Sequence, residues 1–140
     1  HGIANSRYMA FDEDGFDLTS LLELGSSHAK MDLNAFVETI EEMNFSNSVL
    51  VDCTASQEMA QIYPRILGAK IAIVTPNKKA NSGSLESYLT LKKLAKNRGV
   101  HFLYVTTVAA GLPVINTIHD LMLSGDRVHR IEAVLSGSAF

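Results

Sequence analysis

Three stretches of the sequence decide the fold: VDCTASQEMAQIYPRIL at 51–67, IAIVTPNKKANSGS at 71–84, and HFLYVTTVAAGLPVINT at 101–117. Each follows or contains an apolar run of strand length, and each run gives way to a turn of polar and small residues. In an open α/β sheet, ligands bind in the crevice outside the carboxyl ends of the strands. The sequence therefore predicts three successive turns along one sheet edge, an arrangement typical of a dinucleotide site.

Helical patterns alternate with these strands along the chain. Strands are predicted at 1–4, 48–52, 70–74, 101–105 and 128–135, and helices at 18–24, 32–43, 56–67, 84–98 and 113–124. Residues 10–17 are acidic and contain glycine, so they are predicted to form a loop. Strands alternating with helices indicate an α/β fold with a mostly parallel, Rossmann-like, doubly wound sheet. That fold would lack its first βα unit, because the chain contains no G-x-G-x-x-G turn and residues 1–4 look like the second strand of such a fold.

Local signals predict how the helices begin and end. Asp32 and Ser56 are candidate N-caps, and Gly68 is a candidate C-terminal cap. Pro64 is expected to kink or split its helix, since proline has no N–H to donate and clashes with the preceding turn.

Composition excludes several classes of protein. The chain has 140 residues, 46% hydrophobic and 19% charged, which is enough for one domain with a core and is not the balance of a disordered chain. Its net charge is −3 and it has no basic stripe, so a nucleic-acid partner is not expected. No apolar run is long enough for a membrane span. A single cysteine, Cys53, is expected to be a small buried residue and fits a reducing compartment, the cytoplasm.

Some residues are candidates for the chemistry of the site. Nucleotide sites that bind NAD carry an acid after the second strand, and those that bind NADP carry an arginine nearby. This chain has Arg7 and no acid there, which favours NADP, although an ordinary surface arginine is the alternative. Lys78 follows a strand end, where a lysine can reach a phosphate or a substrate oxygen. The turn at 105–112 exposes carbonyls that suit a hard cation.

Other site types find no support in the sequence. The five histidines lack metal-ligand spacing, and no nucleophile elbow or P-loop occurs.

Five motifs together resemble the homoserine dehydrogenase family. They are VDCTAS at 51–56, VTPNKKANSGS at 74–84, GLPVINT at 111–117, SGD at 124–126 and IEAVLSGS at 131–138. The TPNKKAN form and GIANSR at 2–7 are most similar to the dehydrogenase part of bifunctional aspartokinase/homoserine dehydrogenases.

The resemblance implies an activity and its setting. Family members interconvert homoserine and aspartate 4-semialdehyde with NAD(P), on the route to threonine and methionine. It implies a cytoplasmic homodimer or higher homo-oligomer, an aspartokinase domain in the same parent chain, and a small-molecule substrate as the partner, with no membrane. Residues 1–127 would be a partial Rossmann-like nucleotide-binding domain, and 128–140 the start of a second, α+β domain, the truncated catalytic and dimerisation domain.

The resemblance also assigns residues. Lys78 would be catalytic and lie by the nicotinamide and substrate. The other positions implied to contact the cofactor are Ala4, Arg7, Thr54 and Ala55. Gly137 and Ser138 would begin the substrate-binding segment. The positions implied to hold a monovalent cation such as Na⁺, mostly through carbonyls, are Val105, Val108, Ala110 and Leu112.

Three residues of the third turn depart from the family pattern. Val105 replaces an acidic residue, Thr107 an asparagine common in the bifunctional forms, and Ala109 a glycine. The chain also lacks a family lysine that serves as proton donor, so it is expected to be inactive alone. The departures leave two alternatives open: a non-catalytic nucleotide-binding or regulatory module, and a related reductase with another substrate.

Overall fold

The computed structural model describes residues 1–17, 19, 24–109 and 111–133. The chain forms two compact units, His1–Ser46 and Asn47–Phe140.

The first unit is a small antiparallel sheet with one helix. Its strands are β1 (Gly2–Ala4), β2 (Tyr8–Phe11) and β3 (Ala29–Lys30), in the order β1-β2-β3. Helix α1 (Leu33–Met43) follows, and the Asp32 side chain caps it by accepting from the N–H groups of Asn34 and Ala35. Phe36 and Val37 of α1 are buried, and the Phe36 ring lies 5.1 Å from that of Phe11. The predicted helix and its cap are confirmed.

Strand β1 corrects one expectation for this unit. Residues 1–4 are predicted to belong to the parallel sheet, yet β1 pairs antiparallel with β2, Ile3 opposite Ala10. The cause is a tight turn in which the Asn5 side chain accepts from the N–H groups of Arg7 and Tyr8. Strand β2 also takes up the first two residues of the predicted loop at 10–17. The predicted helix at 18–24 lies largely outside the described residues.

The second unit contains the predicted parallel sheet. Strands β4 (Val49–Val51), β5 (Ala72–Val74) and β6 (Phe102–Leu103) are parallel and neighbours in that order. The helices are α2 (Gln57–Gly68), α3 (Leu85–Arg98) and α4 (Val114–Leu123). Short 3-10 turns at Lys78–Ala80 and Val105–Thr107 follow β5 and β6. The α/β prediction with its parallel sheet is confirmed.

Helix ends and core follow from the sequence. Ser56 caps α2 through Met59 N–H, and Ser84 caps α3 through Ser87 N–H. Gly99 closes α3 with a φ of 68°, a conformation that glycine adopts at little cost. The fully buried apolar side chains of this unit are Tyr63, Ile66, Leu67 and Ile73.

Several local predictions for this unit are wrong. Pro64 lies inside α2, which runs through it unbroken, and the C-cap is Ala69 instead of Gly68. Val105 belongs to a 3-10 turn and not to β6. The described part of the predicted strand at 128–135, residues 128–133, has no regular secondary structure, and every residue in it is exposed. Without a neighbouring strand to bury one face, the alternating pattern there does not form a strand.

Candidate functional site

The carboxyl ends of β4 and β5 lie side by side and define the site. Val51 is in register with Val74, and Val74 with Leu103. The ladder extends one residue further, since Asp52 N–H donates to the Val74 carbonyl at 3.0 Å and Thr75 N–H to that of Leu103 at 2.8 Å. The first turn, residues 53–56, and the second turn, residues 76–79, therefore leave the sheet at the same edge, as the sequence predicts.

A buried carboxylate lies where the two turns meet. Asp52 is 2% exposed. Its Oδ1 accepts from Thr54 N–H at 2.7 Å. Its Oδ2 accepts from the Tyr63 hydroxyl at 2.5 Å and from Asn77 Nδ2 at 3.0 Å. One side chain is thus bonded to both turns and to α2.

Asn77 holds the second turn through its own side-chain and backbone hydrogen bonds. Its Nδ2 also donates to the Ser56 carbonyl at 2.9 Å, which joins the first turn to the second. Its N–H donates to Thr75 Oγ1 at 2.8 Å, and its Oδ1 accepts from Lys79 N–H at 3.1 Å. The amide of Asn77 therefore uses both donors and its acceptor, and it caps the 3-10 turn that begins at Lys78.

Thr75 closes the cluster. Its Oγ1 donates to the Asp52 carbonyl at 3.0 Å and lies 2.9 Å from the Tyr63 hydroxyl. Thr75 and Asn77 are 2% exposed and Tyr63 is fully buried. We call Asp52, Tyr63, Thr75 and Asn77 the Asp52 network. Buried polar groups that are fully hydrogen-bonded stiffen the segments they join.

The network shifts the protonation of its two titratable members. Burial alone would raise the pKa of Asp52, but hydrogen bonds from Tyr63, Thr54 and Asn77 outweigh it and hold that pKa below its ordinary value. Burial, together with the hydrogen bond to Asp52, raises the pKa of Tyr63 well above its ordinary value. Asp52 is therefore charged and Tyr63 neutral at physiological pH, so the tyrosine donates and the carboxylate accepts.

Three of the residues implied to bind cofactor or substrate lie on these two turns. Thr54 and Ala55 are exposed on the first turn, and Lys78 is exposed on the second. The buried Asp52 network forms hydrogen bonds to the backbones of both turns and so holds them in place. An exposed polar turn on a rigid base at a parallel sheet edge fits a nucleotide, which needs backbone groups and a cation at fixed positions.

The exposure of Cys53 corrects an expectation. Cys53 is exposed instead of buried. Along an extended backbone successive side chains point to opposite faces, so the inward position of Asp52 directs its neighbour outward.

Ala4 and Arg7 lie in the first unit. Ala4 ends β1, and Arg7 lies exposed in the turn before β2. The Arg7 carbonyl accepts from Met31 N–H at 2.9 Å, which anchors its backbone next to β3 and leaves its side chain in solvent.

The residues implied to hold a cation follow β6. Val105 begins a 3-10 turn, and its carbonyl accepts from Val108 N–H at 3.4 Å. The Leu112 carbonyl accepts from Val114 N–H at 2.8 Å. Each carbonyl has two lone pairs, so both keep capacity for a hard cation. Ala110, Gly137 and Ser138 lie outside the described residues.

A tyrosine pair lies at the end of β6. The hydroxyls of Tyr88 on α3 and Tyr104 are 2.6 Å apart, and the rings meet edge-on. Burial and the bond to Tyr88 raise the pKa of Tyr104. In the part of the chain that the structure describes, no three His, Cys, Asp or Glu side chains cluster as metal ligands would. Nor does that part contain a helix with the length and apolarity for crossing a bilayer.

The sequence analysis missed the buried half of the site. The sequence predicts only that Asp52 ends a strand, that Tyr63 belongs to a helix, and that Thr75 and Asn77 belong to a turn. One signal was available, because an aspartate that ends an apolar strand must find donors, and Tyr63 is a donor on the next helix.

Comparisons with known proteins show which family the chain is similar to. The family model described as "Homoserine dehydrogenase, NAD binding domain" matches residues 2–105. The chain is 42% identical over 139 residues to bifunctional aspartokinase/homoserine dehydrogenase 1, chloroplastic, of Arabidopsis thaliana, covering 98% of this chain. A solved Candida auris protein of unknown function has a TM-score of 0.83 at 34% identity, over 95% of this chain and 37% of that one. A hyperthermophilic archaeal homoserine dehydrogenase in complex with NADPH has a TM-score of 0.65 at 26% identity, over 88% and 39%.

The chain spans only 15% of the length of the Arabidopsis relative. The likeness to the archaeal enzyme confirms the Rossmann-like α/β fold. Because the family model matches most of its residues, the chain belongs to the homoserine dehydrogenase family, in the region of the NAD-binding domain.

Proposed function

We propose that this chain is the nucleotide-binding part of an NADP-preferring homoserine dehydrogenase. The protein that contains it would interconvert homoserine and aspartate 4-semialdehyde, a step toward threonine and methionine. The observation that carries the proposal is the pair of exposed turns with Thr54, Ala55 and Lys78, held at one sheet edge by the Asp52 network. Family membership supports a pyridine nucleotide, and a structural neighbour in complex with NADPH supports NADP as a candidate.

Lys78 is the residue of this chain that would act on the reacting atoms. When bound, the nucleotide would donate a hydride to the aldehyde carbon of the semialdehyde, or accept one from the alcohol carbon of homoserine. As a cation beside that carbonyl, Lys78 would stabilise negative charge on the oxygen, which is where charge develops. Its place at the start of a capped 3-10 turn fixes the backbone from which the side chain extends.

Arg7 would set the preference for NADP. It is exposed and follows β1, with no acidic residue between Ala4 and Tyr8. An arginine favours a ribose 2′-phosphate, whereas an acid in that place would favour the free 2′-hydroxyl of NAD. Ala4 would lie by the same ribose.

The remaining assignments complete the proposal. Val105, Val108, Ala110 and Leu112 would hold a monovalent cation, and Gly137 and Ser138 would contact substrate. The parent protein would be a cytoplasmic homodimer or higher oligomer. It would also carry an aspartokinase domain, as the name of the Arabidopsis relative suggests. The domain boundary would fall at 127/128.

The test is homoserine-dependent reduction of NADP⁺, and separately of NAD⁺, by the full-length protein. We expect turnover with both nucleotides and a higher kcat/KM with NADP⁺. A preference for NAD⁺ would keep the activity and reject the role of Arg7. A folded protein that binds nucleotide but turns over neither would instead be the non-catalytic module that the departures at Val105, Thr107 and Ala109 allow.

A further inference from the structure

We propose that Tyr63 is a positioning residue of the nucleotide site, acting through the Asp52 carboxylate on the two turns that carry Thr54 and Lys78. This inference rests on the proposed function and adds to it a residue that touches neither nucleotide nor substrate. Tyr63 is fully buried on α2, so any effect on the site must pass through its neighbours.

A single carboxylate couples the two turns. Asp52 Oδ1 bonds Thr54 N–H in the first turn, and Oδ2 bonds Asn77 Nδ2 in the second. The positions of the Thr54 backbone and of the cap of the 3-10 turn at Lys78 therefore both depend on the two oxygen atoms of one carboxylate. Rotation of the carboxylate about its side-chain bonds would displace one turn relative to the other.

The Tyr63 hydroxyl is what opposes that rotation. It donates to Oδ2 at 2.5 Å, the shortest of the bonds to this carboxylate, and shares that oxygen with Asn77. Hydrogen bonds to a charged group are shorter and stronger than neutral ones, and this one is buried. Without it, Oδ2 keeps one donor, Asn77 Nδ2, and the carboxylate loses the shortest of the bonds that hold its orientation.

The ring of Tyr63 is fixed independently of its hydroxyl. It belongs to α2 and meets the ring of Phe102 on β6 edge-on, with centroids 5.9 Å apart. Phenylalanine at this position keeps the same ring and opens no cavity larger than one oxygen atom. The hydroxyl can therefore be removed while the packing of α2 on the sheet is retained.

Misplacement of either turn would affect nucleotide binding before it affects the amino-acid substrate. Thr54 and Ala55 are the proposed nucleotide contacts, and errors of about 1 Å in positioning groups cost up to roughly 100-fold in enzyme activity. We therefore expect Tyr63→Phe to weaken NADPH binding about tenfold, the loss that a charged hydrogen bond represents. The KM for homoserine should stay within about twofold, because a displaced Lys78 on the second turn acts on the charge that develops on the reacting oxygen and would lower kcat instead.

The experiment compares wild type, Tyr63→Phe and Tyr88→Phe in the full-length protein. NADPH Kd is measured by nucleotide fluorescence, KM for each substrate by steady-state kinetics, and stability by the thermal transition. Tyr88→Phe is the matched control, because it also removes one tyrosine hydroxyl bonded to a neighbour, the Tyr104 hydroxyl, outside the Asp52 network. Its NADPH Kd should stay within about twofold of wild type, as for a site without a shared partner.

Each outcome decides the question. Weaker NADPH binding in Tyr63→Phe alone, with the KM for homoserine retained, supports the positioning role. An unchanged Kd in Tyr63→Phe overturns it even if the thermal transition falls, and so does equal weakening in both variants. If wild type binds NADPH without oxidising homoserine, the proposed function fails and the Kd comparison still tests Tyr63. If wild type binds neither nucleotide, both proposals fail.

Discussion

At the scale of single residues, Ala109 stands out by its backbone. Its φ is 57°, in the left-handed region that side chains with a Cβ disfavour. It occupies the position where the family resemblance implies glycine, so the strain and the departure coincide. The third turn keeps the left-handed conformation even though this chain has no glycine there to adopt it freely.

We expect Ala109→Gly to stabilise the protein by about 0.5–1 kcal/mol, because relief of the left-handed strain exceeds the added flexibility of the unfolded chain. Thermal or urea unfolding measures this change. Ala95→Gly, buried inside α3, is the matched control and should cost about 1 kcal/mol. A loss of stability in Ala109→Gly would mean that the alanine methyl makes contacts worth more than the strain.

Lys78 and its neighbour Lys79 offer a second test at this scale. Both side chains are exposed, and the contact of Lys79 with Asn77 uses only the Lys79 backbone. Removing a group that stabilises developing charge lowers kcat by about 100-fold or more, whereas an exposed substitution changes stability by roughly 0.5 kcal/mol or less.

Lys78→Ala in the full-length protein should therefore lose most of its turnover of homoserine and keep its thermal transition. Lys79→Ala should keep both. Steady-state kinetics and thermal unfolding of the two variants provide the comparison. Equal activities would remove Lys78 from the chemistry and leave the turn as a nucleotide contact only.

The Asp52 network marks the limit of sequence reasoning for single residues. The exposed candidates Thr54 and Lys78 were found because polar residues at strand ends have a fixed place in an α/β sheet. Their buried supports join Asp52 to Tyr63 and Asn77, which are 11 and 25 residues away. Spacing along the chain gives the element on which a residue lies, but not which side chains converge beneath a turn.

At the scale of elements, α2 tolerates a proline that should have broken it. Pro64 is the eighth residue of a twelve-residue helix, is exposed, and cannot donate a hydrogen bond to the carbonyl of Ala60. The buried side chains Tyr63, Ile66 and Leu67 flank it. Burial of this apolar face outweighs the local cost, which is why a rule based on propensity alone predicted a split.

Pro64→Ala should restore that hydrogen bond and stabilise α2. A proline inside a helix costs about 3 kcal/mol, offset partly by the stiffness it gives the unfolded chain, so we expect a net gain of roughly 1–2 kcal/mol. Hydrogen-exchange protection of the α2 amides should rise about 5- to 30-fold. Pro113→Ala at the N-cap of α4, where no such bond is missing, should give no gain for α4. Unchanged protection of α2 would show that its backbone has adapted to the ring.

The elements that the sequence predicted well are those with strong periodicity. The three parallel strands and α1 to α4 each combine an apolar pattern with a cap or a turn. The β1–β2 hairpin was missed because β2 has only four residues, all half-buried, and shows no alternation. Its turn depends on the Asn5 side chain, which lies just after the strand predicted at 1–4.

At the scale of the whole molecule, the protonation of the Asp52 network links stability to pH. The pKa of Asp52 in the folded chain lies below its ordinary value of 3.8, so the unfolded chain binds more protons just below that pH. The stabilisation from Asp52 is therefore complete above about pH 4 and is lost as pH falls through the folded pKa. The pKa of Tyr63 lies above its ordinary value of 10.0, so its contribution is complete below that pH and is lost as pH rises beyond it.

Thermal transitions measured across pH should thus fall at both ends, below about pH 4 and above about pH 10. Asp52→Asn should flatten the acid limb, because no carboxylate remains to be protonated. Tyr63→Phe should reduce the alkaline limb, to which Tyr104 with its raised pKa still contributes. It should also reduce part of the acid limb, since the hydrogen bond from Tyr63 is the largest of those that lower the pKa of Asp52. A change in both limbs from this single substitution would show that Tyr63 and Asp52 titrate as a coupled pair and not as two independent groups. Identical acid limbs in wild type and Asp52→Asn would mean that carboxylates elsewhere govern acid unfolding, and that the network contributes to the site without controlling the stability of the fold.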